Sequence, residues 1–204
     1  METESRHQCM IYEGSPSQKL PILALMIQRK LAEGYQCLYL NSVPMTAGMG
    51  STLSSIGVDV TSELEKGRLI LSSEPLSING RFDSRLMLEK LEDLLDVALN
   101  KGYKGLWASG DMTWEFGPEK DFSKLLDYEL GLEEVFKRRK ELSGVCQYHR
   151  DTLPQEAMRQ SLLAHKSIVI SDTITQINPH YLKLASHPTI HLELDQMIAV
   201  LCGK

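Results

Sequence analysis

Short apolar runs alternate with amphipathic stretches along the whole chain. His7–Tyr12 (HQCMIY) is apolar enough for a buried strand, and Ser15-Pro16 then offers an N-cap and a proline at a first helical position. Leu20, Leu23, Ile27 and Leu31 follow at helical spacing until Gly34 stops the helix. Residues 35–40 predict a second strand, 45–56 a short helix ended by Gly57, and 67–72 a third strand. Asp83 or Ser84 caps the clearest helix, with Leu88, Leu91, Leu95 and Ala98 on its core face and Glu89, Lys90, Glu92, Asp93 and Asp96 on its wet face. Residues 104–109 predict a fourth strand running into Gly110-Asp111-Met112-Thr113-Trp114. A long charged helix over 118–141 ends in Lys137-Arg138-Arg139-Lys140, cations that suit a solvated helix C-terminus. Residues 144–149 give a fifth strand, Thr152-Leu153-Pro154-Gln155 a capping box opening a helix to His165, and 167–171 a sixth strand. Asn178-Pro179 marks a turn, and Ile190, Leu192 and Leu194 alternate as a terminal strand would.

Strands separated by helices of this length need βαβ crossovers. The expectation is therefore an α/β fold, a mostly parallel sheet with helices on both faces, in one domain over 1–204. Length agrees, since 204 residues suffice for one self-sufficient core. A net charge of −5 argues against direct nucleic-acid binding, whose footprint is a basic surplus. The polar N-terminus has no secretory pattern, and the longest apolar stretch, 20–27, contains a proline and is far too short for a membrane span. Cys9, Cys37, Cys146 and Cys202 are widely spaced and form no Cys-x-x-Cys pair, as expected of reduced thiols in the cytoplasm.

In open α/β sheets ligands bind beyond the carboxyl ends of the strands, which nominates Tyr12, Glu13, Asn41, Ser73, Glu74, residues 111–115, His149 and Arg150. The first strand-to-helix turn is where a nucleotide-binding protein carries its phosphate cradle. Laid on G-x-x-x-x-G-K-[ST], this sequence keeps the lysine, Lys19, and puts Glu13, Gln18 and Leu20 at the glycine, glycine and hydroxyl positions. Glu13 sets a carboxylate where polyphosphate would sit, Gln18 restricts the wrapping backbone, and Leu20 cannot hold magnesium. Gly14 and Lys19 thus mark a degenerate phosphate loop, with Lys19 read as a solvated helix residue. Asp111 follows an apolar strand, as an acid ordering magnesium would, but without a hydroxyl at position 20 a structural or ligand hydrogen-bonding role is expected. Trp107 reads as core. Trp114, just past a strand end, reads as a core lid or as the apolar wall of a ligand pocket.

His7 and Cys9 alternate on one strand face and approach a metal set with Cys146, but no second tight ligand pair supports it, and no metal or cofactor is expected. Cys146 and His149 stand three apart on one strand and point to opposite faces, which argues against a Cys–His nucleophilic pair. No catalytic constellation is visible.

Taken in order, residues 7–12, 34–40, 67–69, 111–114, Tyr128-Glu129, 146–148 and His165 resemble the MEDS domain, the sensory module of methanogen and methylotroph proteins, over about 6–172. The element order is also similar to a three-layer RecA-like, circadian-clock-type ATPase core whose phosphate loop has eroded, with 173–204 as a C-terminal extension. The resemblance implies a non-catalytic sensor of a small organic ligand, a hydrocarbon derivative, whose state is read by a histidine kinase or transcription regulator. No such output module is visible in the sequence. By position it nominates His7, Tyr12, Trp114, Glu129, Cys146 and Tyr148, with Glu13 or Asp111 for polar orientation. It also implies that the first and fifth strands are neighbours, bringing Cys9 close to Cys146. The alternatives are a RecA-like ATPase with an atypical loop and a homo-oligomeric interaction scaffold.

Overall fold

The computed structural model describes residues 6–74, 77–78, 81–115, 122, 125–181 and 198–199. The first strand, β1 (His7–Tyr12), leads through a 3-10 turn (Pro16–Lys19) into α1 (Leu20–Glu33). The α-helix therefore begins later than Ser15-Pro16 suggested, and the Ser15 side chain makes no cap bond. At the far end the chain leaves α1 through Gly34, whose φ of 91° is left-handed and suits glycine. There follow β2 (Gln36–Leu40), α2 (Val43–Ser55), α3 (Val60–Glu65), β3 (Leu69–Ser72) and a two-stranded ribbon, β4 (Ser77–Ile78) with β5 (Arg81–Phe82). Neither α3 nor the ribbon was expected; both are too short to show a hydrophobic period.

Helix α4 (Ser84–Asn100) is capped by Asp83, which accepts from the Leu86 amide at 2.9 Å. Met87, rather than Leu88, joins Leu91, Leu95 and Ala98 among its buried residues. Then come β6 (Leu106–Asp111), the single turn α5 (Met112–Glu115), α6 (Leu125–Arg138), β7 (Leu142–His149), α7 (Gln155–Ala164), β8 (Ser167–Val169) and β9 (Thr175–Ile177). Helix α6 covers only part of the expected 118–141; residues 116–121 and 123–124 lie outside the described set, as does the expected strand at Ile190, Leu192 and Leu194. The capping box at Thr152 does not form: Pro154 is the N-cap of α7, without a side-chain bond, and Thr152 Oγ1 turns to His149 Nδ1 at 3.0 Å.

Seven strands form one sheet in the order β3-β2-β6-β7-β1-β8-β9, parallel throughout except for the β8–β9 pair. The first and fifth strands of the parallel core, β1 and β7, are neighbours, and Cys9 registers directly against Cys146. Both faces are covered. α1 and α2 pack Leu23, Ile27, Met49 and Leu53 against Met10, Tyr39 and Trp107 on one face. On the other, α4, α6 and α7 pack against Cys9, Leu38, Leu106, Cys146 and Tyr148. This is the three-layer α/β/α arrangement of a RecA-like fold. The basic end of α6 is not merely solvated: Arg138 pairs with Glu92 at 2.6 Å and Arg139 with Asp96, tying α6 to the wet face of α4. No helix among the described residues is long and apolar enough to cross a membrane.

Gly105 sets how closely the sheet closes at its amino edge. A Cβ there would lie 1.9 Å from the Glu141 carbonyl oxygen and 3.0 Å from the Tyr35 ring, while the Gly105 carbonyl accepts from the Gln36 amide at 3.0 Å. Gly105→Ala is expected to force β2, β6 and β7 apart and lower stability by about 1–3 kcal/mol in urea unfolding. An unchanged midpoint would show that this edge yields without cost.

Candidate functional site

Three features stand out, and they occupy different parts of the sheet. The first is the turn after β1. Lys19, at the end of the 3-10 turn, is 3% exposed, so the expectation of a solvated residue fails. The tight turn delays the α-helix to Leu20 and carries the lysine inward. Its Nζ donates to Asp111 Oδ2 at 2.5 Å and sits 3.6 Å from the Tyr12 ring centroid. Tyr12 donates to the same carboxylate oxygen at 2.8 Å, and the Thr113 amide donates to Asp111 Oδ1 at 3.0 Å. The Gly14 amide, which in a phosphate cradle would face an anion, donates to Asp151 Oδ2 at 2.7 Å. His149 donates through Nε2 to the Gly14 carbonyl at 2.9 Å and stacks on Tyr12 at 4.7 Å between centroids. Glu13 pairs with Arg150. The loop's cation and its leading amide are thus both engaged by carboxylates of the same chain. Burial pushes the Lys19 ammonium down to about 8, with Asp111 opposing the fall. Burial and the Asp111 charge push the Tyr12 hydroxyl far above its usual range.

The second feature is a polar centre sealed beneath α6 and α7, on the opposite face from Tyr12. Glu129 of α6 is fully buried. Its Oε2 lies 3.2 Å from His7 Nε2 and 3.3 Å from His165 Nε2, and its Oε1 accepts from the Tyr148 hydroxyl. Cys146 Sγ stands 3.5 Å from His7 Nε2. His7 donates through Nδ1 to Glu133 Oε2 at 3.1 Å, and Tyr181 donates to Glu133 Oε1 at 2.9 Å. His165 donates through Nδ1 to the Ser161 carbonyl at 2.7 Å. Burial pushes Glu129 up, but His165, His7 and Tyr148 outweigh it and hold the carboxyl below the ordinary carboxylate range. Burial pulls the His7 imidazolium down, yet Glu129 and Glu133 outweigh it and raise the group above its usual value. Burial and the neighbouring His7 charge hold His165 down near 4. His7, Glu129, Cys146 and His165 each direct one metal-ligating atom into a region where all four lie within 4.8 Å of one another.

The third feature is a cleft of about 170 Å³ between the sheet and α4, lined by Leu38, Leu40, Ile70, Met87, Leu91 and Leu94, with Ser72, Glu74 and Lys90 also on its wall. A hollow of about 30 Å³ shares Leu40, Met87 and Leu91 with it and reaches Leu132 and Cys146. A larger hollow of about 300 Å³ opens at the amino ends of the strands among Arg6, Arg29, Lys30 and Lys140. Arg29 and Lys30 there are answered by Asp172 at 2.8 Å and Glu33 at 2.7 Å.

The structure divides the nominated residues. Tyr12, Glu13, Gly14, Lys19 and Asp111 gather at the loop; His7, Glu129, Cys146 and Tyr148 gather in the sealed centre. Tyr12 and Tyr148 therefore share no pocket. Trp107 is buried core, and the Trp114 side chain lies outside the described residues. Reading the spacing for metal ligands missed the sealed centre because β1, α6, β7 and the end of α7 supply one donor each. Asp151, Glu133 and Tyr181 were also missed. A signal existed for the acids: Glu129 and Glu133 sit one turn apart on a helix face that also carries Leu125, Tyr128, Leu132 and Phe136.

Known proteins share parts of this sequence and its fold. The chain is 24% identical over 160 residues to the transcriptional repressor DcmR of Methylorubrum extorquens (strain DSM 6343 / CIP 106787 / DM4), a match covering 78% of this chain and 58% of the repressor, so it spans less than two thirds of that protein. A crystal structure of the uncharacterized protein PH0321 from Pyrococcus horikoshii, in complex with an unknown peptide, superposes with a TM-score of 0.57 at 18% identity, covering 81% of this chain and 77% of that one, which shows a shared fold. The model of the MEDS family, the methanogen/methylotroph, DcmR sensory domain, matches residues 6–166, and the chain belongs to that family.

Proposed function

We propose that the chain is the sensing part of a prokaryotic signal-transduction system, working in the cytoplasm without catalysing a reaction. Its ligand is a small, weakly polar hydrocarbon derivative, taken up in the cleft between β2, β3 and α4. The observation that carries this reading is the cleft itself: an apolar hollow of about 170 Å³ with a few polar side chains on its wall. The engaged loop supports it from the other side, since Lys19 and the Gly14 amide face carboxylates where a nucleotide would need them free. Ligand in the cleft favours one arrangement of α4 against the sheet, and a histidine kinase or transcription regulator reads the resulting shift in population.

The size of the cleft limits the affinity. A ligand burying about five methylene equivalents gains about 4 kcal/mol, which corresponds to a millimolar dissociation constant before any polar contact is added. At ten times that constant the complex is stabilised by about 1.4 kcal/mol, which raises Tm by about 3–6 °C in a chain of this size. A panel of short alcohols, amines and halogenated alkanes followed by thermal melting is expected to contain such a ligand. Ile70→Trp, which fills the cleft, is expected to abolish the shift. A panel that leaves Tm unmoved, or an equal shift in Ile70→Trp, would contradict the cleft as the binding site.

The loop gives an independent prediction. The folded-state value near 8 lies below the ordinary lysine value of 10.5. Between the two, the unfolded chain holds a proton that the folded chain has released. Lys19 therefore makes stability rise as pH increases across that window and contributes a constant cost below it. Nitrogen-detected NMR of Lys19 is expected to show a midpoint near pH 8 that moves lower in Asp111→Asn. A midpoint near 10.5 would mean that the lysine is solvated and the loop open.

A further inference from the structure

Glu129 Oε2 and His165 Nε2 face each other at 3.3 Å, and neither has an aligned hydrogen-bond partner among the described residues, although both side chains are fully buried. The rest of each group is already committed. His165 Nδ1 carries its proton toward the Ser161 carbonyl, which in a neutral ring leaves a bare lone pair on Nε2. Glu129 Oε1 is occupied by the Tyr148 hydroxyl, which leaves Oε2 directed at the same point. The ring centroid of His7 lies 4.1 Å from that of His165, so both cannot carry a proton on each nitrogen without setting two positive charges side by side. His7 also gives its Nδ1 proton to a carboxylate, Glu133, and turns Nε2 inward, where Cys146 Sγ stands 3.5 Å away. A lone pair and a carboxylate oxygen converging in a dry interior repel each other unless a cation lies beside them, which in the metal-free chain is the His7 imidazolium, 3.2 Å from the same Glu129 oxygen, and which a bound ion would replace.

The spacing matches one kind of cation. Tetrahedral bonds of about 2.0–2.1 Å to nitrogen and oxygen and about 2.3 Å to sulfur place neighbouring donors about 3.3–3.6 Å apart. Three of the six donor separations fall at or close to that spacing, 3.2 Å (His7 to Glu129), 3.3 Å (His165 to Glu129) and 3.5 Å (His7 to Cys146), and all four atoms lie within 4.8 Å of one another, so the wider pairs close by a few tenths of an ångström to about an ångström around the ion. Charge agrees as well: one thiolate, one carboxylate and two neutral imidazoles make a divalent ion's site electrically neutral, which a buried location requires. The outer groups have the form that metal sites use to hold their ligands, a carboxylate on one histidine, a backbone carbonyl on the other and a hydroxyl on the ligating glutamate. Mixed sulfur, nitrogen and oxygen donors in a closed four-ligand set suit zinc rather than magnesium or calcium.

We propose that His7 Nε2, Glu129 Oε2, Cys146 Sγ and His165 Nε2 bind one zinc ion in a closed tetrahedral site. The ion joins β1, α6, β7 and the end of α7, elements separated by up to the whole length of the parallel core. Cys146 also lines the small hollow that shares Leu40, Met87 and Leu91 with the cleft.

The test begins with the unaltered chain. After purification without chelator, metal analysis is expected to give about one zinc per chain. Exchange with Co(II) is expected to give the visible absorption of a tetrahedral site together with a thiolate-to-cobalt band in the near ultraviolet. Cys146→Ser is expected to remove the thiolate band while the visible bands shift, and His165→Gln to lower metal content several-fold. Failure of the unaltered chain to retain zinc or to take up Co(II) would overturn the proposal. So would metal whose amount and spectrum are untouched by both substitutions, since it would be bound elsewhere.

Discussion

An ionised carboxylate out of reach of water has to be answered by groups of its own chain or by an ion, and two such carboxylates flank this sheet. Asp111 closes β6 at 4% exposure on the α1 side; Glu129 projects from α6 at 0% on the other. Lys19, Tyr12 and the Thr113 amide answer the first. His7, His165 and Tyr148 surround the second. Removing one partner of a buried pair such as Lys19–Asp111 typically costs about 3–5 kcal/mol, a large share of a domain's net stability. The polar interior therefore constrains the fold as firmly as the apolar one.

The closed loop gives the scaffold its functional character. A RecA-like sheet offers its first turn to a phosphate, but here the lysine and the leading amide already hold Asp111 and Asp151. A nucleotide would have to break both contacts and enter among carboxylates, a penalty of about two to four orders of magnitude in affinity. With that turn committed, the proposed ligand site is the apolar cleft beside α4 and the proposed metal site the sealed centre beneath α6. A small hollow is lined by Met87 and Leu91, which also line the cleft, and by Cys146 of the sealed centre.

Much of the fold was legible from the sequence because its parallel strands are apolar on both faces and its long helices carry a clear period. The core of α1, with Leu20, Leu23, Ile27 and Leu31, and the Asp83 cap of α4 were readable from local pattern alone. The proximity of Cys9 and Cys146 followed from the resemblance to a RecA-like strand order. The partners were less legible. Loss of the phosphate loop could be read from Glu13, Gln18 and Leu20, but the inward turn of Lys19 depends on Asp111, 92 residues away. The sealed centre draws one donor from each of four elements, so no spacing rule reveals it, although an acid pair on an apolar helix face hints at it. Asp151 lies just past the end of β7 and gives no pattern; its role appears only when β7 pairs with β1 and sets it above Gly14.

The chain's own charges fill the position that a phosphate would take in the first turn. Equilibrium dialysis of the unaltered protein against labelled ATP with magnesium measures this most directly. The account predicts no saturable binding up to about 1 mM nucleotide. Tight, magnesium-dependent binding that disappears in Lys19→Ala would contradict it, because it would show that lysine facing a phosphate rather than Asp111.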